Sequence, residues 1–259
     1  MSPVIFFVAF FLATYLFIYL KAADRIRRKH AQRAYPRFDP RTPESLPRAV
    51  QLRFAEDLSR LEALGFAFVT YLHYEEMPEE DDGDADVYLA LLKNEESGDT
   101  AAVAEFFVRV MHVSSHHRIL TFATDFGGGE YIRTNNSSVL GVFEPEPGRV
   151  GFQFPGVEDS RFLYRLHRAL VERREPGRKG VLPSPGMEVP HLCESEARTL
   201  RYQVERGYFY IDESRGMCRH TWKGALVMTG KLMYGIKEVR LALMKRRVRA
   251  TLKSLGLKA

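Results

Sequence analysis

Between Phe66 and Phe154 the chain reads FAFVTYLHY (66–74), VYLALLK (87–93), TAAVAEFFVRVM (100–111), RILTFATDF (118–126), GEYIRTN (129–135) and RVGFQF (149–154). Apolar, β-branched and aromatic residues recur in these runs at a period of two, the spacing of a strand that turns one face to a core. The breaks are turn chemistry: Glu95 to Asp99, Val113 to His116, Gly127 to Gly129 and Glu144 to Gly148. The stretch predicts an antiparallel meander, with SVLGVF (138–143) as a short additional strand.

On both sides the period becomes helical. Val50, Phe54, Leu58 and Leu61 predict an amphipathic helix over 48–64 that stops at Gly65. Ser160 reads as the N-cap of a second helix carrying Leu163, Leu166 and Leu170, with Gly177 past its end. The expectation is an α+β fold, an antiparallel sheet flanked by helices over residues 48–175. Residues 176–190 (PGRKGVLPSPGMEVP) read as a Pro/Gly linker. A smaller unit over 191–259 follows: a helix near Ser195 to Arg206, a hairpin from Tyr208 to Asp212 and Met217 to Thr221, and a final long helix. This helix and hairpin, followed by Thr221-x-Lys223-Gly224, are locally similar to the wing region of winged-helix domains. The resemblance covers only Ser195 to Gly224, and the Pro/Gly linker occupies the place of the two helices that such a domain needs just before it.

Upstream lies the second decisive stretch, Pro3 to Leu20 (PVIFFVAFFLATYLFIYL), 18 residues without a charge. At about 1.5 Å per residue it spans roughly 27 Å, enough to cross a hydrocarbon core. No Lys or Arg precedes it and no small-x-small site closes it, so residues 1–20 read as a transmembrane anchor and not as a cleaved signal peptide. Lys21, Arg25, Arg27, Arg28, Lys29 and Arg33 follow against Asp24, a local charge of +5. By the positive-inside rule the N-terminus is expected outside and the remainder in the cytoplasm, where Cys193 and Cys218 are expected as free thiols. Residues 21–47 read as a basic juxtamembrane segment, helical at first, then a spacer interrupted by Pro36, Pro40, Pro43 and Pro47.

The overall charge of +5 conceals segregation: the final 29 residues hold nine basic groups against Glu238, so the body between the two basic arms is −8. In the last segment Leu232, Ile236, Val239 and Leu243 form one apolar stripe, and Leu241, Met244, Val248, Leu252 and Leu255 another. Lys245, Arg246, Arg247, Arg249 and Lys253 lie among them. A basic amphipathic helix on a tethered protein predicts contact with anionic lipid headgroups. With hydrophobic residues at 45% and charged residues at 27%, collagen-like and wholly disordered classes are excluded.

Candidate chemistry is sparse. Eight carboxylates from Glu75 to Asp86 (Glu75, Glu76, Glu79, Glu80, Asp81, Asp82, Asp84 and Asp86) lie between two strands, but counting from Asp82 puts Val87 and Lys93 where a calcium loop needs Gly and Glu. They read as a solvated loop. His112, His116 and His117 flank a turn without a third ligand at fixed spacing, so no metal or cofactor is expected. Asp125-Phe126-Gly127 lacks the other kinase elements. Asn135 and Asn136 each begin an N-x-S acceptor sequence. The expected function is binding or scaffolding at the membrane surface, with lipid and possible protein partners, and Lys21, Arg25, Arg27, Arg28, Lys29 and the five basic residues from Lys245 to Lys253 on the headgroups. The alternatives are a tethered hydrolase using His116, His117 and Asp125, or a tethered nucleic-acid binder using the hairpin and tail.

Overall fold

The computed structural model describes residues 3–76, 84–110 and 113–257. In chain order it contains α1 (Pro3–Lys29), β1 (Ala31–Arg33), β2 (Asp39–Arg41), α2 (Arg48–Glu62), β3 (Ala67–Glu76), β4 (Asp84–Asn94), β5 (Asp99–Val110), β6 (Val113–Asp125), β7 (Tyr131–Asn135) and β8 (Arg149–Gln153). There follow α3 (Ser160–Arg174), α4 (Glu188–Glu205), β9 (Phe209–Asp212), β10 (Met217–His220), α5 (Trp222–Leu232) and α6 (Ile236–Ser254).

The architecture is α+β. Seven strands form a sheet in the order β2-β3-β4-β5-β6-β7-β8, and three form a small sheet in the order β1-β10-β9. The large sheet is mixed and not wholly antiparallel as expected: β8 runs parallel to β7, with Tyr131 opposite Arg149 and Asn135 opposite Gln153. The cause is residues 136–148, which return the chain to the level at which β7 began. For the same reason the short strand expected at 138–143 does not form; that segment is part of the return. The expected turn at Gly127, Gly128 and Gly129 forms, with positive φ at all three.

Helices α2 and α3 and the end of α6 cover one face of this sheet. Val50, Phe54 and Leu61 of α2 and Leu163, Leu166 and Leu170 of α3 meet Leu92, Val103, Leu120 and Phe122 from the strands. Helix α3 is capped by Asp159, one residue before the expected cap, whose Oδ1 accepts the N–H groups of Arg161 (2.9 Å) and Phe162 (3.3 Å). A carboxylate there also complements the helix dipole.

The final helix is two helices, broken at Gly235, where φ is +87°. The halves of α6 also differ from expectation. Leu252 is buried and Val248 and Leu255 pack on the main core, so the second apolar stripe holds the helix to the body. Ile236, Val239 and Leu243, at the other end, are exposed. The wing-like residues start a helix: Thr221 Oγ1 caps α5 by accepting from Gly224 N (3.1 Å), and Lys223 Nζ donates to Arg206 O (2.6 Å). A Cβ on Gly224 would lie 2.0 Å from Tyr208 O, so only glycine permits this approach.

The proline-interrupted segment after α1 supplies a strand to each sheet, β1 pairing with β10 and β2 with β3. Helix α1 continues to Lys29. It is the one helix among the described residues long and apolar enough to cross a membrane, and none of its apolar window is buried in the protein.

Candidate functional site

The second face of the large sheet is covered by α4 at one end only. It faces the small sheet and α4 across a cleft of about 810 Å³. Alternation assigns the floor: Val87 and Leu89 of β4, Phe106 of β5, and Tyr131, Arg133 and Asn135 of β7 all point away from the helical layer. The opposite wall comes from His30, Gln32 and Arg33 just after α1, from Leu200 and Gln203 of α4, and from Phe209, His220 and Met228. Residues 141–146 close one side.

Charge in this cleft is partly paired. Glu146 bonds Arg198 at 3.2 Å and lies 3.7 Å from Arg149, and Glu144 bonds Arg206 at 2.8 Å. Arg149 also stacks over the Tyr131 ring at 4.4 Å and donates to Ser195 Oγ at 2.6 Å. Arg33 and Arg133 have no acidic partner among the described residues, and Glu196 is the one lining carboxylate without a basic partner there. His220 Nε2 lies 3.1 Å from His30 Nδ1. Burial first, and the His30 charge second, push the His220 imidazole down to about 4, so it is neutral at physiological pH. Burial also pushes the Cys218 thiol up to about 12, which makes it an unreactive packing residue.

The residues that the sequence offers for hydrolysis are not brought together. His116 and His117 lie in β6 and not in a turn, and Asp125 ends the same strand. Nine residues at about 3.3 Å each put roughly 30 Å between His116 and Asp125. His116 faces the helical layer, where its Nε2 contacts Glu105 and where Arg53 donates to Glu105 at 3.3 Å. His117 turns to the opposite face and is exposed. Asp125 pairs with His191 of α4 at 3.2 Å and accepts the Gly127 N–H at 2.7 Å. Glu130 pairs with Arg178. A small pocket of about 60 Å³ between β4, β6 and α4 holds Asp125, His191 and Ser195, with Ser195 Oγ held by Arg149. His112 and residues 77–83 of the acidic stretch lie outside the described residues. Among the described residues no group of three His, Cys, Asp or Glu side chains could hold a metal ion.

Under α3 lies the most complete polar network. Thr124 Oγ1 donates to Asp99 Oδ1 (2.6 Å), Tyr164 OH donates to Oδ2 (3.0 Å), and Arg168 reaches both oxygens at 3.2 and 3.1 Å. His167 Nε2 donates to Thr124 Oγ1 (2.9 Å) and its Nδ1 accepts from Thr134 Oγ1 (3.1 Å). Burial opposes charge on Asp99, but the hydrogen bonds and the neighbouring cations outweigh it and hold the carboxyl at about 2. Burial lowers the His167 imidazole below its ordinary value and pushes the Tyr164 phenol up to about 12. Asp99 and His167 are fully buried, so this network docks α3 and reaches no ligand.

No protein-family model, curated protein or solved structure matches this chain. The cleft is the feature sequence reasoning missed. Its signal was weak: in β7 Tyr131, Arg133 and Asn135 alternate with Ile132 and Thr134, a strand whose second face is polar but not obviously solvent-facing.

Proposed function

We propose that this protein is a membrane-tethered binding module, anchored through α1 with its body on the cytoplasmic side, which holds an amphiphile with an acidic head in the cleft. The observation that carries the reading is the cleft itself. Its floor is apolar along β4 and β5, it contains two guanidiniums without acidic partners, and its wall begins at His30, directly after the apolar helix. An apolar chain fits Val87, Leu89 and Phe106, and a carboxylate or phosphate head fits Arg33 and Arg133, whose planar donors bind such groups bidentately. Glu196 then sets the head's orientation by repulsion.

The basic arms support the same placement. Lys245, Arg246, Arg247, Arg249 and Lys253 are exposed and have no acidic partner among the described residues. Each adds about 1 kcal/mol of attraction near an anionic leaflet. Arg27 and Arg28 contribute less there, because they pair with Asp24 at 3.1 and 2.8 Å.

The test is a titration of full-length protein in neutral nanodiscs with a fluorescent fatty acid. Binding is expected to saturate and to be displaced by oleate and by a long-chain alkyl phosphate, but not by the alcohol of equal length. Replacing Arg33 and Arg133 together by Gln is expected to weaken it by about tenfold or more, since a charge-assisted hydrogen bond contributes about 1.5–3 kcal/mol. Equal binding by wild type and the double variant rejects the cleft as the site of the acidic head.

A further inference from the structure

We infer that the corner between α5 and α6, together with the loop 138–142 fastened to it, is a second membrane-contacting surface that reaches below the exit of α1. The inference rests on α1 lying in a bilayer.

Helix α5 runs antiparallel along the last third of α1. Tyr19 OH donates to Leu226 O at 2.7 Å, and a Cβ built on Gly230 would lie 3.3 Å from the Tyr19 oxygen, so the missing side chain at 230 gives the ring its place. At the other end the Arg27 guanidinium lies over the Trp222 ring at 4.7 Å. Eight residues separate Tyr19 from Arg27 and eight separate Trp222 from Gly230, so the two helices rise together and depth on one transfers to the other.

The charge-free run of α1 ends at Leu20. Gly230 therefore stands at its edge, α5 runs on to Leu232, about 3 Å deeper at ~1.5 Å per residue, and the turn from Met233 to Gly235 that carries Tyr234 follows at that level. Tyr234 is 89% exposed, and Ile236 beside it is 44% exposed. Apolar and aromatic side chains at the depth of the charge-free run meet lipid.

Two of the three cations nearby are arranged to match, while Lys237 stays exposed. Lys231 Nζ donates to Val142 O, and Arg240 donates to Gly141 O and to Lys231 O, so these side chains turn to backbone carbonyls and not outward. The same bonds fasten the loop beside the corner, where Val139 is 63% exposed. Satisfying polar groups internally is what a water-poor boundary requires. A second copy of the chain is the other occupant of such a patch, but its depth beside α1 favours lipid. Two contacts instead of one fix the body's orientation. Met228, Gly141 and Val142, which line the cleft, then face the bilayer surface.

Depth-resolved fluorescence tests this with the full-length chain in phosphatidylcholine vesicles brominated at defined acyl positions. Trp222→Phe removes the single native indole, and Tyr234→Trp or Phe10→Trp introduces a reporter. The indole at 234 is expected to be quenched about twofold or more, and more by bromines near the headgroup end than near the chain end, as for an interfacial side chain. Quenching at position 10 without quenching at 234 overturns the inference while the anchor stands. Quenching at neither position overturns both. Cross-linking between copies at 234 with no lipid quenching assigns the patch to a second copy and overturns the lipid contact.

Discussion

On the helical side of the large sheet the buried Asp99 carboxylate accepts from Thr124, Tyr164 and Arg168. On the other side of the same sheet Arg33 and Arg133 reach the cleft with no acidic partner among the described residues. The covered face uses charge to fix packing, where burial makes each unmade bond costly. The open face keeps charge available, because hydration in a cleft makes an unpaired guanidinium inexpensive. The contrast teaches where to look in this molecule: a buried carboxylate held by its donors marks architecture, and accessible cations without acidic partners mark binding.

The largest expected effect follows from breaking the paired side. Asp99→Ala leaves Arg168 and Tyr164 without their acceptor and is expected to cost about 3–5 kcal/mol, read from the midpoint of urea unfolding. A loss below about 1 kcal/mol would mean that the network is not the clamp on α3. The pH dependence has a defined sign. The Asp99 carboxyl is held below its ordinary 3.8, at about 2, so the stability it confers is complete above pH 4 and disappears as pH falls from 4 through 2. Two units correspond to about 2–3 kcal/mol, and in the Asp99→Ala variant this acid limb of the stability profile should flatten.

A smaller effect separates the two ends of α6. Leu252→Ala empties a site in the main core and should lower stability by about 2–4 kcal/mol. Leu243→Ala, at an exposed position, should change it by less than about 0.5 kcal/mol. Similar losses at both positions would show that the exposed stripe packs on the body and would remove it as a surface.

The effect confined to mildly acid pH concerns the His30–His220 contact between the end of α1 and the small sheet. The His220 imidazole is depressed from 6.5 to about 4, so the stability that comes from keeping it neutral is complete above 6.5 and is lost as pH falls from 6.5 to 4. Near-ultraviolet circular dichroism of the single tryptophan, Trp222, which begins the helix after β10, should report loosening in that window. In His220→Gln the window should disappear. An unchanged profile would place the titration elsewhere.

Much of this was legible in the chain. Each strand of the meander announced itself by its own alternation, the helices by their apolar spacing, and the apolar helix by its composition, because those signals come from a residue and its near neighbours. Pairing was not legible where partners are distant or where two answers share one pattern. An alternating β8 is equally good parallel or antiparallel, and only the path of residues 136–148 chooses. The two apolar stripes of α6 look equivalent in sequence, and only contact with Val248, Leu252 and Leu255 decides which is core. His116 was visible as a histidine, but its engagement with Glu105 depends on the register of β5 against β6. The cleft belongs entirely to the tertiary structure, since Arg33, Arg133 and His220 are brought to one space by strands far apart in the chain. Local periodicity determined which segments fold as helix or strand, whereas the side of each strand that remains free, and therefore the site, was decided by which helices the rest of the chain could supply to cover it.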